Sequence, residues 1–473
     1  MKTCCSAANM MCRLSWVILL GVATIAPAYG GSPSSTAPSC DGLHTNKKVP
    51  AKALRALVQS HGEWLEHRHS AAHHRADLCR ADLRQAVLKG ANLEKANFEG
   101  ALLRQANLYE STLSQANLVG ADLTQASLED ANLSGADLRK ARLSQANFFR
   151  AVGDEAALYE AVLIGTQLHE STFERAHFEG ADLTAADFTN ANLTETYFYG
   201  ANLHRAILSG ADLLEADLRR TILTKATLLK TNLQGALLDG ARLNGAQLVE
   251  SDLEGAYLDE ADLTDANLRQ ATLRAADLRF ANLQAAIFEE ADLEGVNFEG
   301  ARLARTALKS ANLKMAILYH ASLDQTDFSE AKLPMAVLIG ARGEGTSFKK
   351  ADLSNAYAAN VSLHRGRFDG ANLESANFVG ADLRGSGFSG AVLIHANLAD
   401  ANLRDAAFRG VNFTAVRLDG ADLQGSDLSG ADLGEAVGLT QAQVNAACLD
   451  ERTTLPSGIH RPAPCRSGKG TGK

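Results

Sequence analysis

Five histidines between residues 61 and 74 are the densest group of metal-ligand side chains in the sequence: His61, His67, His69, His73 and His74. The i,i+4 spacing of His69 and His73 would put two imidazoles on one face of a helix, and imidazole binds zinc, copper and nickel. No cysteine or carboxylate stands beside them at a fixed ligand spacing. We therefore interpret this stretch as a solvated junction and predict no metal and no other cofactor.

The seven cysteines fall into two sets. Three lie in the first thirty residues, and the other four form an even set with two near each end of the chain: Cys40, Cys79, Cys448 and Cys465. An even set suits an oxidising compartment, where disulfides persist. Proximity favours pairing Cys40 with Cys79 and Cys448 with Cys465, and a closed loop of that size would stabilise the fold by about 3 kcal/mol. Free, buried thiols are the alternative, because the sequence does not fix the pairing.

Motifs of nucleophilic, phosphate-binding or metalloprotease chemistry are missing from the sequence. It has no Gly-rich phosphate loop, no Gly-x-Ser-x-Gly and no His-Glu-x-x-His. Carboxylates are abundant, with 49 acidic and 33 basic residues between 76 and 433. An acidic surface favours solubility and argues against general affinity for nucleic acid. We predict that the protein is not an enzyme.

A repeat of five residues must position all these side chains. Every fifth residue from Leu78 to Leu433 is Leu or Phe at 69 of 72 positions, and the exceptions are Gly153, Gly343 and Ala358. A small residue stands two places earlier, and Asp or Asn commonly lies between, as in Ala91-Asn92-Leu93. A period of five fits neither a helix of 3.6 residues per turn nor an alternating strand. The backbone must therefore turn a corner in every repeat.

This motif resembles that of the pentapeptide-repeat family, Ala-Asp/Asn-Leu-x-x. The resemblance implies an all-β fold, a right-handed quadrilateral parallel β-helix with four repeats per coil. The 72 repeats would make about 18 coils, a rod roughly 85 Å long at the spacing of stacked strands. Some members of the family resemble B-form DNA in size and charge and bind type II topoisomerases.

The sequence divides into six predicted segments. Residues 1–30 have the basic start, short apolar stretch and small residues of a signal peptide cleaved near Gly30, and an uncleaved anchor is the alternative. Residues 31–49 and 466–473 are predicted to be a disordered linker and tail. Residues 50–75 and 434–465 are predicted helical caps, the second with a loop, on either side of the solenoid at 76–433. The signal peptide predicts export to the periplasm or the medium, with no membrane span in the mature chain.

Assigning successive repeats to four faces, with Ala76 opening face one, sorts the outward side chains. Face four is strongly acidic and carries a ladder of ten carboxylates: Asp154, Glu155, Glu174, Glu195, Asp212, Glu215, Asp252, Glu254, Asp292 and Glu294. Face one carries six of the seven tyrosines that follow the signal: Tyr159, Tyr197, Tyr199, Tyr257, Tyr319 and Tyr357. Exposed tyrosine is enriched at recognition surfaces, and stacking of neighbours along a ladder is the alternative reading.

These observations predict an exported, non-enzymatic scaffold that presents its charged and tyrosine-bearing faces to a protein or envelope partner. The alternative, from the family resemblance, is a DNA-mimicking protector of a type II topoisomerase. The chain departs from that pattern in its signal peptide and in face two, which is not acidic.

Overall fold

The computed structural model describes residue 40 and residues 44–67 and 74–462. The chain divides into two units, Met1–Asp41 and Gly42–Lys473. The predicted signal peptide at 1–30 and tail at 466–473 lie outside the described residues. The second unit contains the whole repeat region.

Four repeats form one coil, and each coil pairs with the next through a parallel ladder. Asn97 bridges Asp77 on one side and Asn117 on the other, and the same offset of 20 residues recurs along the repeat region. Between coils the Leu78 N–H donates to the Asn97 carbonyl at 2.8 Å, and the Asn97 N–H donates to the Ala76 carbonyl at 2.9 Å. Among the described residues no strand is longer than a single bridge, because a corner follows each bridged residue.

The corners explain the residue preferences of the repeat. The Ala81 N–H donates to the Leu78 carbonyl at 3.1 Å, and Arg80 has a φ of 52°. These are the features of a type II turn. Asp82 begins the next corner, where its Oδ1 accepts the backbone N–H of Arg84 at 3.2 Å. Asp and Asn recur beside the Leu because their short side chains accept this hydrogen bond two residues further on.

The Leu and Phe side chains fill the interior of the rod. From Leu93 to Leu433 they are almost entirely buried, and burying each one stabilises the fold by about 2 kcal/mol. Near the C-terminal end five rings of one column stack with centroids 4.6 to 5.1 Å apart: Phe328, Phe348, Phe368, Phe388 and Phe408. Buried threonines replace some of the small residues, and Thr346 donates its hydroxyl to the Leu323 carbonyl at 2.8 Å.

The N-terminal end of the rod is covered by a short paired segment and a helix. Lys48 bridges Asp82, so pairing begins before the predicted start of the cap at residue 50. Helix α1, Ala51–Glu66, then buries Leu54 and His61. The exposed strand edges of the first coil thereby gain partners, which limits edge-to-edge association.

The C-terminal end carries a smaller cap. Helix α2, Gln441–Ala446, begins with a capping box between Thr440 and Gln443. The side-chain amide of Gln443 also donates to the carbonyls of Leu418 and Ala421 at 2.7 and 2.9 Å. Beyond α2 the chain pairs again with the last coils, through bridges that include Asp427 with Cys448. In the described part of the chain neither helix has the length and apolarity to span a bilayer.

Candidate functional site

Face one holds a stack of aromatic rings along the axis of the rod. His177 lies between Tyr159 and Tyr197, with ring centroids 5.1 and 4.6 Å away and ring planes inclined by 19° and 8°. The imidazole Nδ1 also lies 3.1 Å from a carboxylate oxygen of Glu179. Each ring therefore packs on its neighbours in the adjacent coils. The stacking fixes the position of these tyrosines on the surface of the rod.

Tyr199, in the same coil as Tyr197, contacts arginines of the next coil. Its ring lies 5.9 Å from the guanidinium groups of both Arg219 and Arg220, a distance at which cation–π attraction operates. Arg219 is itself held by Asp217 at 2.6 Å. Tyr197 and Tyr199 nonetheless remain exposed.

The other tyrosines of face one lie further along the rod. Tyr257, Tyr319 and Tyr357 are exposed, and the ring of Tyr319 contacts His320 at 4.0 Å between centroids. The structure thus keeps all six tyrosines on one side but does not join them into one cluster. Tyr109, the tyrosine of face three, contacts Lys89 at 4.5 Å.

Two aspartates of face one, between Tyr199 and Tyr319, have a raised pKa. Burial raises the pKa of Asp239 and of Asp259. At Asp259 the positive charge of the nearby Arg279 opposes this increase. Oδ1 of Asp259 is buried and has no hydrogen-bond partner among the described residues. These two carboxyl groups of face one are therefore weaker acids than an ordinary aspartate.

On face four, several predicted ladder carboxylates serve the backbone or neighbouring amides. Oδ1 of Asp252 accepts the Glu254 N–H at 3.0 Å, and Oδ2 accepts the Gln234 amide at 2.6 Å. Oδ1 of Asp292 accepts the Asn312 amide at 2.8 Å. These carboxylates contribute to turns and ladders as well as to surface charge. Sequence counting treated them as purely outward charges.

Basic side chains neutralise part of the remaining ladder. Arg175 pairs with Glu174 at 2.9 Å and with Glu155 at 3.6 Å. Glu294 receives both Arg274 at 3.0 Å and Lys314 at 2.9 Å. The exposed carboxylates that lie between these pairs include Glu195, Glu215 and Glu254. The acidity of face four is therefore interrupted at both ends of the predicted ladder.

An apolar patch on face one escaped the sequence analysis. It consists of outward side chains from three consecutive coils and the corners before them: Met315, Ile317, Tyr319, Met335, Val337, Ile339 and Tyr357. Ile317 bridges Val337, and Val337 bridges Tyr357, so the patch is continuous. Charges summed over a whole face cannot reveal such a patch. A search for consecutive coils without outward charges would have found it.

The prediction that the five histidines form a solvated junction does not hold for His61. His61 is fully buried, its Nδ1 accepts the Ala76 N–H at 3.0 Å, and its Nε2 lies 2.9 Å from the Glu94 carbonyl. Both ring nitrogens are therefore engaged in closing the end of the rod. His67 and His74 are exposed, whereas His69 and His73 lie outside the described residues.

The cysteines of both ends are oxidised in the structure where it describes them. Cys40, Cys79 and Cys448 are disulfide-bonded. Cys465, the predicted partner of Cys448, lies outside the described residues.

A shallow depression occurs near the C-terminal end on face three. It has a volume of about 590 Å³ and is lined by Arg409, Ser429, Asp450 and Arg452, with two glycines. Its arginines are paired, Arg409 with Asp427 and Arg452 with Asp450. These pairs leave it little capacity to bind an additional anion.

Comparison with known proteins gives the same repeat. The profile of pentapeptide repeats (8 copies) matches in segments between residues 74 and 357, most of which overlap, and that of the pentapeptide repeat region matches residues 361–437. No curated protein sequence matches significantly.

Several solved structures are similar over part of the chain. HetL, a protein of heterocyst differentiation regulation from Nostoc sp. strain PCC 7120, is 34% identical over 46% of this chain and 88% of its own, with a TM-score of 0.25. QnrB1, a plasmid-mediated fluoroquinolone resistance protein, is 17% identical over 38% and 90%, with a TM-score of 0.23. A pentapeptide repeat protein of the Arabidopsis thaliana thylakoid lumen is 24% identical over 29% and 73%, with a TM-score of 0.12.

The family assignment rests on the two profile matches, which together cover most of the chain, and on the uninterrupted five-residue period. The chain belongs to the pentapeptide-repeat family, and its rod is a right-handed quadrilateral β-helix.

Proposed function

We propose that the protein is an exported, non-enzymatic scaffold that binds a protein or an envelope polymer through face one. The observation that supports this proposal is the aromatic stack of Tyr159, His177 and Tyr197, beside which Tyr199 is held by two arginines. Tyrosine contributes a large contact area together with a hydroxyl group, and it is enriched at recognition surfaces.

The rod supplies these tyrosines in fixed positions. Their neighbours in adjacent coils hold them by stacking and by the cation–π contacts of Arg219 and Arg220. A side chain that is already ordered loses less conformational entropy on binding. Face one is therefore better suited to recognition than a set of isolated, mobile tyrosines.

Face four favours this scaffold over a DNA mimic. Its carboxylates are partly neutralised by Arg175, Arg274 and Lys314, and others accept hydrogen bonds from the rod itself. A mimic of B-form DNA needs a continuous array of negative charge. Protection of a type II topoisomerase stays the alternative for a cytoplasmic protein.

Binding through face one can be tested by affinity capture from envelope extracts. The double variant Tyr197→Ala/Tyr199→Ala should lose the captured partner, because it removes two exposed rings from face one. The matched control is Tyr109→Ala on face three, which should capture the partner as well as the wild type does. Equal capture by all three proteins would refute a binding role for face one.

Export and the two disulfides can be tested by the intact mass of the native protein from separated cytoplasmic and envelope fractions, without reductant. We expect a species in the envelope fraction that begins near Gly31 and lacks the four hydrogens of two disulfides. These would join Cys40 to Cys79 and Cys448 to Cys465. A full-length, reduced species in the cytoplasm would overturn the proposed export and make topoisomerase binding the next experiment.

A further inference from the structure

The dipeptide Asp-Gly occurs four times in the sequence, at Asp41, Asp239, Asp369 and Asp419. Asp41 lies outside the described residues. The other three aspartates occupy the same corner position of a repeat, and the glycine after each has a φ between 62° and 69°. Asp239 and Asp419 also share the tetrapeptide Leu-Asp-Gly-Ala. Local sequence and backbone conformation therefore do not distinguish these sites.

An aspartate followed by glycine can rearrange without an enzyme. The backbone nitrogen of the glycine attacks Cγ of the aspartate; a C–N bond forms, and the amide proton leaves with the carboxyl hydroxyl as water, which closes a five-membered succinimide. Glycine allows the close approach because it has no Cβ. Water then opens the ring. Opening at Cγ restores aspartate, whereas opening at the former main-chain carbonyl gives isoaspartate, whose backbone is one methylene longer.

At two of the three corners the attacking nitrogen is engaged between coils. The Gly240 N–H donates to the Asp259 carbonyl at 2.8 Å, and the Gly370 N–H donates to the Ser389 carbonyl at 2.9 Å. The nitrogen can attack only after this bond has opened, and such local opening costs free energy. The ladder therefore protects both corners from rearrangement.

The third corner, at Gly420, lies in the last coil of the solenoid. Val437 is the last residue on face one of the described chain that bridges the coil before it, and the chain then continues into α2. The Gly420 N–H has no acceptor among the described residues. This corner therefore lacks the inter-coil hydrogen bond that holds the other two.

The carboxyl group at this corner is also the more accessible one. Asp419 is exposed, whereas Asp239 and Asp369 are half-buried. The nearest cation, the Nε of Arg417, lies 3.4 Å from Oδ2 of Asp419, and both side chains are largely open to solvent. An exposed ion pair of this kind restrains its partners little. The carboxyl group is thus free to turn towards the Gly420 nitrogen.

We propose that Asp419 is a site of spontaneous isoaspartate formation and that this rearrangement opens the C-terminal cap as the protein ages. The side-chain amide of Gln443 spans this corner, because it donates to the Leu418 carbonyl on one side and to the Ala421 carbonyl on the other. An additional methylene between Leu418 and Ala421 changes the spacing of the two carbonyls, so one amide no longer reaches both. The modification is independent of the partner proposed for face one.

Prolonged incubation of the native full chain in oxygen-18 water tests the site. Each passage through the succinimide introduces one heavy oxygen, and peptide mapping assigns it to a residue. Labelling at Asp419 should be at least about 10-fold faster than at Asp239 and Asp369, because their corners must first open. In denaturant Asp419 and Asp239 should react at similar rates, since their local sequences are the same. Equal labelling of the three sites in the native protein, or no labelling of Asp419 there, would overturn the proposal.

The consequence for the cap is tested by ageing a variant that cannot form the five-membered ring. Asp419→Glu keeps the charge, and glutamate already occupies this position of a repeat at Glu179 and Glu299. Aged wild type should lose hydrogen-exchange protection in residues 418–449, and aged Asp419→Glu should keep it. Asp239→Glu is the matched control and should age as the wild type does. Equal loss of protection in the wild type and Asp419→Glu would contradict the proposed opening of the cap.

Discussion

The ring of Phe173 occupies the place that a side chain at Gly153 would fill. A Cβ built on Gly153 would lie 2.1 Å from Cε1 of Phe173, although the two residues belong to the same core column in successive coils. The missing side chain and the larger ring therefore compensate each other. The gap that the repeat pattern shows at Gly153 is not an empty space in the core.

This relationship predicts strong coupling between the two positions. Gly153→Leu alone should destabilise the protein by about 1–3 kcal/mol, because the new side chain collides with the ring. Phe173→Leu alone should also destabilise it, because the space beside Gly153 is left unfilled. The double variant restores the ordinary Leu-on-Leu column and should recover much of the loss. Urea unfolding, together with hydrogen exchange of residues 148–178, measures the coupling; strictly additive effects would contradict it.

Backbone conformation predicts opposite effects of alanine at two half-buried glycines, one at a corner of the repeat and one in α1. Gly255 has a φ of 66°, and a Cβ there would have no atom within 4 Å. Gly255→Ala should therefore destabilise by about 1 kcal/mol through backbone strain alone. Gly62 lies within α1, where a Cβ also has free space, so Gly62→Ala should stabilise the cap by about 1 kcal/mol. Thermal unfolding of both variants measures the two signs, and equal signs would refute this account.

His61 predicts a loss of stability of the N-terminal cap in mild acid. Burial lowers the pKa of His61, and the nearby Arg75 lowers it further, whereas the hydrogen bond to the Glu94 carbonyl opposes the shift. The unfolded chain therefore binds a proton at a higher pH than the folded chain does. The contribution of His61 is complete above its ordinary pKa of about 6.5 and is lost as the pH falls below that value.

The experiment compares hydrogen exchange of residues 76–98 at neutral pH and in mild acid. Exchange should increase in acid in the wild type, after correction for the intrinsic pH dependence of exchange. His67→Gln is the control, because His67 is exposed, and it should retain the effect. His61→Gln should lose it. A wild-type cap that is indifferent to pH would contradict the role of His61.

Gln443 has two roles at the C-terminal end, as part of the capping box of α2 and as donor to two carbonyls of the last coils, and substitutions should separate them. Gln443→Ala removes both the capping box and the donors to the Leu418 and Ala421 carbonyls, and it should destabilise the cap by about 1–3 kcal/mol. Gln443→Glu keeps an acceptor for the Thr440 N–H but loses those donors, so its effect should be intermediate. Denaturant unfolding and hydrogen exchange near residue 421 measure both. Equal stability of Gln443→Ala and the wild type would rule out this role.

The period of five predicts the rod because it is a strictly local property. Ala91-Asn92-Leu93 already contains the small corner residue, the turn-forming amide and the core side chain. Compensation between coils is not local: nothing near Gly153 in sequence indicates that Phe173, 20 residues later, fills its space. His61 is a similar case, because its partners Ala76 and Glu94 lie 15 and 33 residues away.

The candidate site was predictable only in part for the same reason. Placing the six tyrosines on face one requires the period alone. The stacking of Tyr159 and Tyr197 through His177 depends on the side-chain conformations of three coils. The apolar patch can be predicted only by searching each face for consecutive coils whose outward residues carry no charge.

The constant offset of 20 residues between bridged positions has a consequence for how the chain folds. Each coil closes a loop of one size, so the mean sequence separation of contacts is small, roughly 0.04 of the chain length, below the range of typical helical proteins. The first coil, covered by α1, presents a strand edge with which the next 20 residues can pair, and this pairing requires no segment distant in sequence. Folding can then proceed coil by coil from the N-terminal end of the solenoid, each coil pairing with the one before it.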